Sequence, residues 1–171
     1  MAYPSDVAEL DGKNFYRLCA RQFTVFDGTG AYMYGARWTP AGTKVIYCGS
    51  SLALCSMEVL VHLNTQQITN KFHYASGKID ARYGIDLYTP ERLADLGCRW
   101  NISGEYGEPQ QIGRAWFEAG EHLFMVVPSV LSPEDYAVVI NQEHPAFDEL
   151  NLDEAQASRY NFDTRFGRGG E

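Results

Sequence analysis

The chain has 171 residues, of which 45% are hydrophobic and 13% aromatic, enough for one ordinary core and too few for two full domains. Its net charge of −8, with lysines and arginines spread along the chain, argues against direct binding to nucleic acid. Because no apolar stretch approaches the ~20 residues of a membrane span and the first residues lack a signal-peptide pattern, we expect a cytoplasmic protein that does not enter membranes.

The first half of the chain predicts two strands and a helix. "FYRLCARQFTVF", residues 15–26, is dense enough in apolar and aromatic residues for a strand, and "DGTGAYMYGARWTPAG" predicts a long turn-rich loop. "KVIYC" then predicts a short strand. It leads through Ser50 or Ser51, as N-cap, into the helix "LALCSMEVLVHLN".

The second half alternates strands with short helices. "KFHYASGKI" predicts a strand, and "TPERLADLG" predicts a helix with Thr89 as N-cap and Gly97 just past its end. "QQIGRAWFEAG" predicts another helix, "HLFMVVPS" and "YAVVIN" two core strands, and "YNFDTRF" a last strand before a disordered "GRGGE" tail. Short helices and long loops argue against a doubly wound sheet, so we expect one α+β domain with a mixed sheet.

Cysteine and histidine spacing predicts no metal site. No two cysteines form a C-x-x-C pair, which favours buried free thiols over a disulfide framework. Glu58 and His62 lie four residues apart, but the second histidine of an H-E-x-x-H zinc motif is absent. The cysteines concerned are Cys19, Cys48, Cys55 and Cys98.

Glu58 is unusual for its place in the second helix. Its neighbours three and four positions away are Leu54, Cys55, Val61 and His62, which puts the carboxylate on a largely apolar stripe. A charged carboxylate among apolar side chains costs free energy unless it is paired or takes part in the function. Two interpretations stay open, a catalytic group and one partner of an ion pair with an arginine.

Two arginines could bind an anion. Arg37 lies in the turn-rich loop, where its guanidinium could bind a carboxylate or a phosphate, or could stack on Trp38 in solvent. Arg17, in the first strand, has the same two interpretations. The two arginines and Glu58 could instead form a mutual salt-bridge network.

Tyr47 and Ser129 stand at the ends of predicted strands, where side chains often reach a cleft. Tyr47 could stack on a ligand or merely close the core. Ser129 follows Pro128 and could equally be a turn residue. Residue chemistry alone leaves both alternatives open.

Several segments occur in an order that resembles the RES-domain family: "FYRL", "GARWTPAGTKVIYCGSSLALCSMEVLVHL", "IGRAWFEAGEHLFMVVPSVL", "NQEHP" and "NFDTRF". That family is named for an arginine, a glutamate and a serine, and its members are toxins of bacterial RES–Xre toxin–antitoxin pairs. The resemblance runs from about residue 15 to about residue 166, which leaves 167–171 as a flexible tail. It implies a fold like that of ADP-ribosyltransferase toxins and an enzyme that degrades NAD, as a phosphorylase or a glycohydrolase.

The resemblance also implies roles for individual residues. The implied catalytic residues are Arg37, Glu58 and Ser129. The implied substrate-binding residues are Arg17, Tyr47, Asn141 and Arg165. The chain departs from the family pattern at a few positions that carry no chemical role, namely Ala36, Thr39, Gln142 and Glu143.

The implied chemistry uses NAD as substrate, inorganic phosphate as a possible co-substrate, and no cofactor. Because nicotinamide leaves as a neutral molecule, one carboxylate can suffice. Glu58 would stabilise the charge that develops at the anomeric carbon, and the arginines would hold the pyrophosphate or the incoming phosphate.

The implied partner is an Xre-type antitoxin whose C-terminal part covers or enters the cleft, within a complex that contains a toxin dimer. Two other functions remain as alternatives. One is transfer of ADP-ribose to a protein target. The other is a non-enzymatic binding module in which Arg37 and Glu58 form an ion pair.

Overall fold

One seven-stranded sheet organises the part of the chain that the structure, a computed structural model, describes: residues 3–63, 71–104, 106–152 and 156–163. The strands are β1 (Asn14–Ala20), β2 (Val45–Gly49), β3 (Phe72–Lys78), β4 (Ile85–Leu87), β5 (Phe124–Pro128), β6 (Tyr136–Asn141) and β7 (Ser158–Tyr160). The α-helices are α1 (Thr29–Tyr34), α2 (Leu52–His62), α3 (Pro90–Asp95) and α4 (Gly107–Ala119).

The strand order is β4-β5-β6-β2-β1-β3-β7. All neighbours are antiparallel except β4 and β5, which are parallel. The predicted α+β fold with a mixed sheet is therefore confirmed.

The sheet divides between β1 and β2. These strands share the single pair Tyr16↔Gly49, whereas β1 pairs with β3 along its whole length. The chain after β1 closes the resulting fork. Gly28 approaches β2 so closely that a Cβ on it would lie 2.7 Å from the carbonyl oxygen of Val45, a contact that only glycine permits.

Strand alternation separates the core into two faces. One face carries a single apolar cluster that includes Phe15, Ile46, Phe124, Val138 and Ile140. The other face carries two clusters. The α4 cluster contains Trp38, Val45, Tyr88, Leu93, Cys98, Trp116, Met125, Val127 and Val139, and the α2 cluster contains Leu18, Cys55, Phe72 and Phe162. They lie on either side of β2, so this strand forms the floor between α2 and the loop of residues 35–44. We call that space the β2 groove.

Helix starts follow the predicted caps. The side chain of Ser51 accepts a hydrogen bond from the backbone N–H of Leu54 at 3.1 Å, and the side chain of Thr89 accepts one from the backbone N–H of Arg92 at the start of α3.

The four cysteines are free, and three are buried while Cys19 is half-buried. Among the described residues, no helix has the length and apolarity to cross a bilayer.

Five elements differ from the prediction. β1 ends at Ala20, before the end of the predicted segment 15–26. α1 lies within the predicted loop, and its start has no side-chain cap that a sequence pattern would reveal. β4 has only three residues, too few for an alternation to be recognised. α4 begins three residues before "QQIGRAWFEAG". β7 precedes the predicted "YNFDTRF" strand and overlaps it at Tyr160 alone, and both residues 164–166 and the predicted tail lie outside the described residues.

Gly113 allows α4 to pass the backbone of Trp38, because a Cβ at Gly113 would overlap the Trp38 carbonyl group. We expect Gly113→Ala to lower the free energy of unfolding by about 2 kcal/mol, since helix and loop must separate. Gly107→Ala in the same helix is the matched control, because a Cβ there meets no atom within 4 Å. Urea denaturation measures both, and equal stability of the two variants would contradict the close packing.

Candidate active site

The loop of residues 35–44 is fixed by its own backbone and by α4. Gly35 has φ 68°, a conformation that favours glycine, and the N–H of Ala36 donates to the carbonyl of Thr39 at 2.7 Å. The side-chain amide of Gln110 in α4 donates to the carbonyl of Ala36 at 2.8 Å. The loop is therefore a braced support for Arg37.

The guanidinium of Arg37 is half-buried and anchored on a distant loop. Its Nη1 donates to the carbonyls of Trp100 at 2.8 Å and Ile102 at 3.1 Å, and its Cζ lies 4.8 Å from the centroid of the Tyr106 ring. Nη1 thereby uses both its hydrogens, whereas Nη2 and Nε have no partner among the described residues. Arg37 can hold the loop and still offer donors to an anion.

One interpretation of the sequence had Arg37 stacking on Trp38, and the structure does not show this contact. Trp38 is buried and stacks instead on Trp100, with ring centroids 6.5 Å apart and an interplanar angle of 23°. The indole of Trp38 thus secures the loop in the core, and the guanidinium of Arg37 is left to the adjoining surface.

Glu58 lies one turn beyond the buried Leu54 and Cys55 on the same side of α2, at the exposed edge of that stripe. Its carboxylate makes no hydrogen bond or ion pair with the described residues. The side chain is accessible to solvent, yet desolvation by the surrounding protein raises its pKa, and His62 and Arg37 only partly oppose this effect. Glu58 therefore forms the α2 side of the β2 groove, near enough to Arg37 for the guanidinium charge to act on it without contact. The proposed Arg37–Glu58 ion pair is absent.

Tyr47 forms part of the floor of the β2 groove. Its hydroxyl shares a 2.9 Å hydrogen bond with the buried Thr39 side chain, and desolvation raises the pKa of the phenol well above its usual range. The phenol is therefore neutral at physiological pH. Because Thr39 belongs to the Arg37 loop, this bond also ties the loop to β2.

Ser129 and Asn141 are both buried, and both take part in turns. The hydroxyl oxygen of Ser129 accepts from the N–H of Leu131 at 3.1 Å, which leaves its hydrogen to donate elsewhere. The side-chain oxygen of Asn141 accepts from the N–H of Glu143 at 2.9 Å. Ser129 faces the start of β6 and Asn141 ends it, so the two side chains lie at opposite ends of this strand.

Arg17 lies at the fork between β1 and β2. Alternation places it with Phe15, on the face opposite Leu18 and the α2 cluster. Its Nη2 donates to the carbonyl of Asp27 at 3.0 Å, in the segment that closes the fork. The structure thus brings together Arg37, Glu58 and Tyr47, but sets Arg17 apart; Arg165 lies outside the described residues.

Sequence reasoning missed the residues that hold the two central side chains. Arg37 bonds to carbonyls 63 and 65 positions away, and no local pattern indicates that pairing. Thr39 registered only as a departure from a motif, although its hydroxyl positions Tyr47.

The opposite face of the sheet holds another depression, which lacks any cationic side chain. Its lining residues are Thr24, Phe26, Phe147, Asp148, Asn151 and Leu152. No group of three potential metal ligands occurs within the described ranges. The β2 groove, with one unpaired carboxylate, one guanidinium with free donors and one neutral phenol, suits an anionic ligand at whose reacting atom positive charge develops.

Comparison with known proteins shows what the chain as a whole is similar to. Residues 14–163 match the RES domain. The chain is 30% identical over 152 residues to "Toxin Res" of Yersinia enterocolitica, covering 88% of this chain and 97% of that toxin. It is 28% identical over 168 residues to "Prs ADP-ribosylating toxin" of Sphingobium sp., covering 91% and 97%. The fold matches a chain of the crystal structure of the M. tuberculosis MbcT–MbcA toxin–antitoxin complex with a TM-score of 0.64 at 18% identity, over 88% and 85% of the two chains.

A lysine cannot replace Arg37 in this anchorage. It keeps the charge but cannot donate to both carbonyls, stack on Tyr106 and still bind an anion. We expect Arg37→Lys to lower the free energy of unfolding by about 1–2 kcal/mol. The matched control is Arg82→Lys, because Arg82 also lies over a tyrosine ring and bonds to Asp80, but at the exposed surface, so its replacement should lower stability measurably less. Equal costs in urea denaturation would contradict the anchoring role.

The raised pKa of Glu58 has a consequence for stability. Between the usual carboxyl pKa and the raised one, the folded state binds more protons than the unfolded state, so the contribution of Glu58 to stability falls as pH rises through that window. We therefore expect Glu58→Gln to melt at a higher temperature than the parent at pH 8. The melting temperatures of the two proteins should converge below about pH 4.

A second carboxylate gives the control for this experiment. Glu118 is exposed on α4, where it lies 3.9 Å from Arg114, and its replacement by glutamine should give no such gain. A Glu58→Gln protein that melts below the parent at pH 8 would contradict the desolvation of Glu58.

Proposed function

This chain belongs to the RES-domain family, and on that premise we propose that it is the toxin of a toxin–antitoxin pair and that it degrades NAD by breaking the bond between nicotinamide and ribose. The observation that carries the proposal is the state of Glu58. This carboxylate is desolvated and unpaired among the described residues. It shares the β2 groove with the guanidinium of Arg37, of which only Nη1 donates to carbonyls of the described residues. A carboxylate with only a structural role would be expected to have a partner.

The reaction needs a carboxylate more than it needs an acid. The C1″–N bond breaks with its electron pair passing to nicotinamide, whose ring nitrogen becomes neutral, so no proton has to be supplied. Positive charge grows on the ribose as the bond lengthens, and Glu58 stabilises that charge. A phosphate oxygen that then bonds to C1″ gives ADP-ribose-1″-phosphate. A water molecule gives ADP-ribose and releases a proton.

The other groups of the β2 groove would bind and orient NAD. The free Nη2 and Nε donors of Arg37 would hold the pyrophosphate or the incoming phosphate. Tyr47, as a neutral phenol at the floor, would position the ribose or the nicotinamide ring, and Ser129 would donate its free hydroxyl hydrogen. Arg17 lies on the opposite face and holds the segment that closes the fork, so we assign it no contact with the substrate.

The surface around Glu58 supports a protein partner. On the same helix, Met57 and Val61 are 42% and 62% exposed, which leaves apolar area uncovered beside the carboxylate. We infer that a cognate antitoxin of the Xre type covers this wall in a complex with a toxin dimer. The net charge of −8 favours basic contacts on the antitoxin.

NAD turnover tests the proposed activity. Purified protein should consume NAD, yielding ADP-ribose-1″-phosphate if phosphate is required and ADP-ribose if it is not. Glu58→Gln should lower kcat at least about 100-fold, because the developing charge loses its counter-charge. Glu118→Gln should turn over NAD at the rate of the parent. Intact NAD both with and without phosphate would contradict the proposal.

A second candidate function is transfer of ADP-ribose to a protein, which is favoured by the resemblance to the relative named Prs ADP-ribosylating toxin. The same groove could direct C1″ towards a protein nucleophile instead of phosphate or water. NAD labelled in its adenylate part distinguishes the two functions. Label recovered on protein would support transfer, and label recovered only in small molecules would support NAD degradation.

A further inference from the structure

Asp135 closes the loop that carries Ser129, between β5 and β6. Its carbonyl accepts from the N–H of Ser129 at 3.1 Å, and its own N–H donates to the carbonyl of Ser132 at 3.1 Å. One carboxylate oxygen accepts from the Ser132 hydroxyl at 2.7 Å. Backbone and side chain of Asp135 together fix the shape of this loop.

The other carboxylate oxygen of Asp135 reaches a different part of the chain. It accepts from the hydroxyl of Ser50 at 2.6 Å. The oxygen of that hydroxyl also accepts from the N–H of Tyr136 at 3.3 Å, so its single hydrogen is committed to Asp135. Ser50 directly precedes Ser51, the N-cap of α2. The carboxylate therefore links the β5–β6 loop to the start of α2.

The start of α2 determines where Glu58 lies. Glu58 follows Ser51 by seven residues, a distance of about 10 Å along the axis at 1.5 Å per residue. A tilt of about 5° at the helix start therefore moves Glu58 by roughly 1 Å, and an error of that size in a reacting geometry costs up to about 100-fold in rate.

We propose that Asp135 is a positioning residue whose carboxylate sets Glu58 through Ser50 and the start of α2. The role rests on the proposed function of the β2 groove. It concerns alignment rather than substrate contact, since both carboxylate oxygens are occupied by serine hydroxyls. The negative charge beside the N-terminus of α2 also favours the helix dipole.

Steady-state kinetics on NAD tests the role. Asp135→Ala and Ser50→Ala should each lower kcat about tenfold with KM changed less than about twofold, because alignment matters chiefly in the transition state. The double variant should be no slower than the slower single variant, since both break one link. Asp135→Asn should keep at least about a third of kcat, because its amide oxygen can still accept from Ser50 while its nitrogen donates to Ser132.

The matched control is Ser132→Ala, which removes a bond within the loop but leaves the link to α2. It should keep the kcat of the parent. All variants are compared well below their melting temperatures, with the folded fraction measured by circular dichroism. A lower melting temperature of Asp135→Ala with unchanged kcat would overturn the positioning role, as would an equal loss in Ser132→Ala. If Asp135→Ala fails to fold, Ser50→Ala decides by the same criterion.

Hydrogen exchange gives a readout that does not depend on NAD. The N–H groups of Leu54 and Cys55, in the first turn of α2, should exchange faster in Asp135→Ala and not in Ser132→Ala. Unchanged exchange in Asp135→Ala would overturn the link. An inert parent protein would refute the proposed function before any variant is compared, whereas an active parent with fully active variants would overturn only the role of Asp135.

Discussion

The anchorage of Arg37 on backbone carbonyls is the interaction on which the candidate site depends. A guanidinium that bound Glu58 would neutralise the carboxylate and occupy its own fork. Here the carbonyls of Trp100 and Ile102 use one nitrogen, and the Tyr106 ring supports the plane. Because carbonyls carry no net charge, the positive charge of Arg37 stays available to a ligand, and the negative charge of Glu58 stays unpaired among the described residues.

The two faces of the sheet are packed differently. One face buries a continuous cluster around Phe15 and Phe124, whose rings lie 6.2 Å apart. The other face is split, with α4 holding the Arg37 loop on one side of β2 and α2 holding Glu58 on the other. Joining the two clusters would bury more apolar surface, but it would fill the space between the guanidinium and the carboxylate.

Local chemistry made much of the fold predictable from the sequence. The caps at Ser51 and Thr89 and the apolar run of β5 are short-range signals, and each appears where it was expected. α1 and β4 escaped prediction because they are short and are held by packing against β2 and pairing with β5. The residues of the site were recognisable by type and motif. Their supports were not, since carbonyls such as those of Trp100 and Ile102 carry no side-chain signature and lie more than 60 positions from Arg37.

The desolvation of the Glu58 carboxylate connects folding with the proposed chemistry. Desolvation penalises the ionised carboxylate in the folded protein, and an arginine in contact would remove the penalty. The same contact would leave nothing to stabilise positive charge on a ribose, because the carboxylate would already be neutralised before the substrate arrived. A preorganised counter-charge must be unpaired in the resting protein for its energy to be released in the transition state. The proposed reaction therefore requires that Glu58 be held by its helix rather than by a partner, and the capped start of α2 would then serve the reaction as well as the fold.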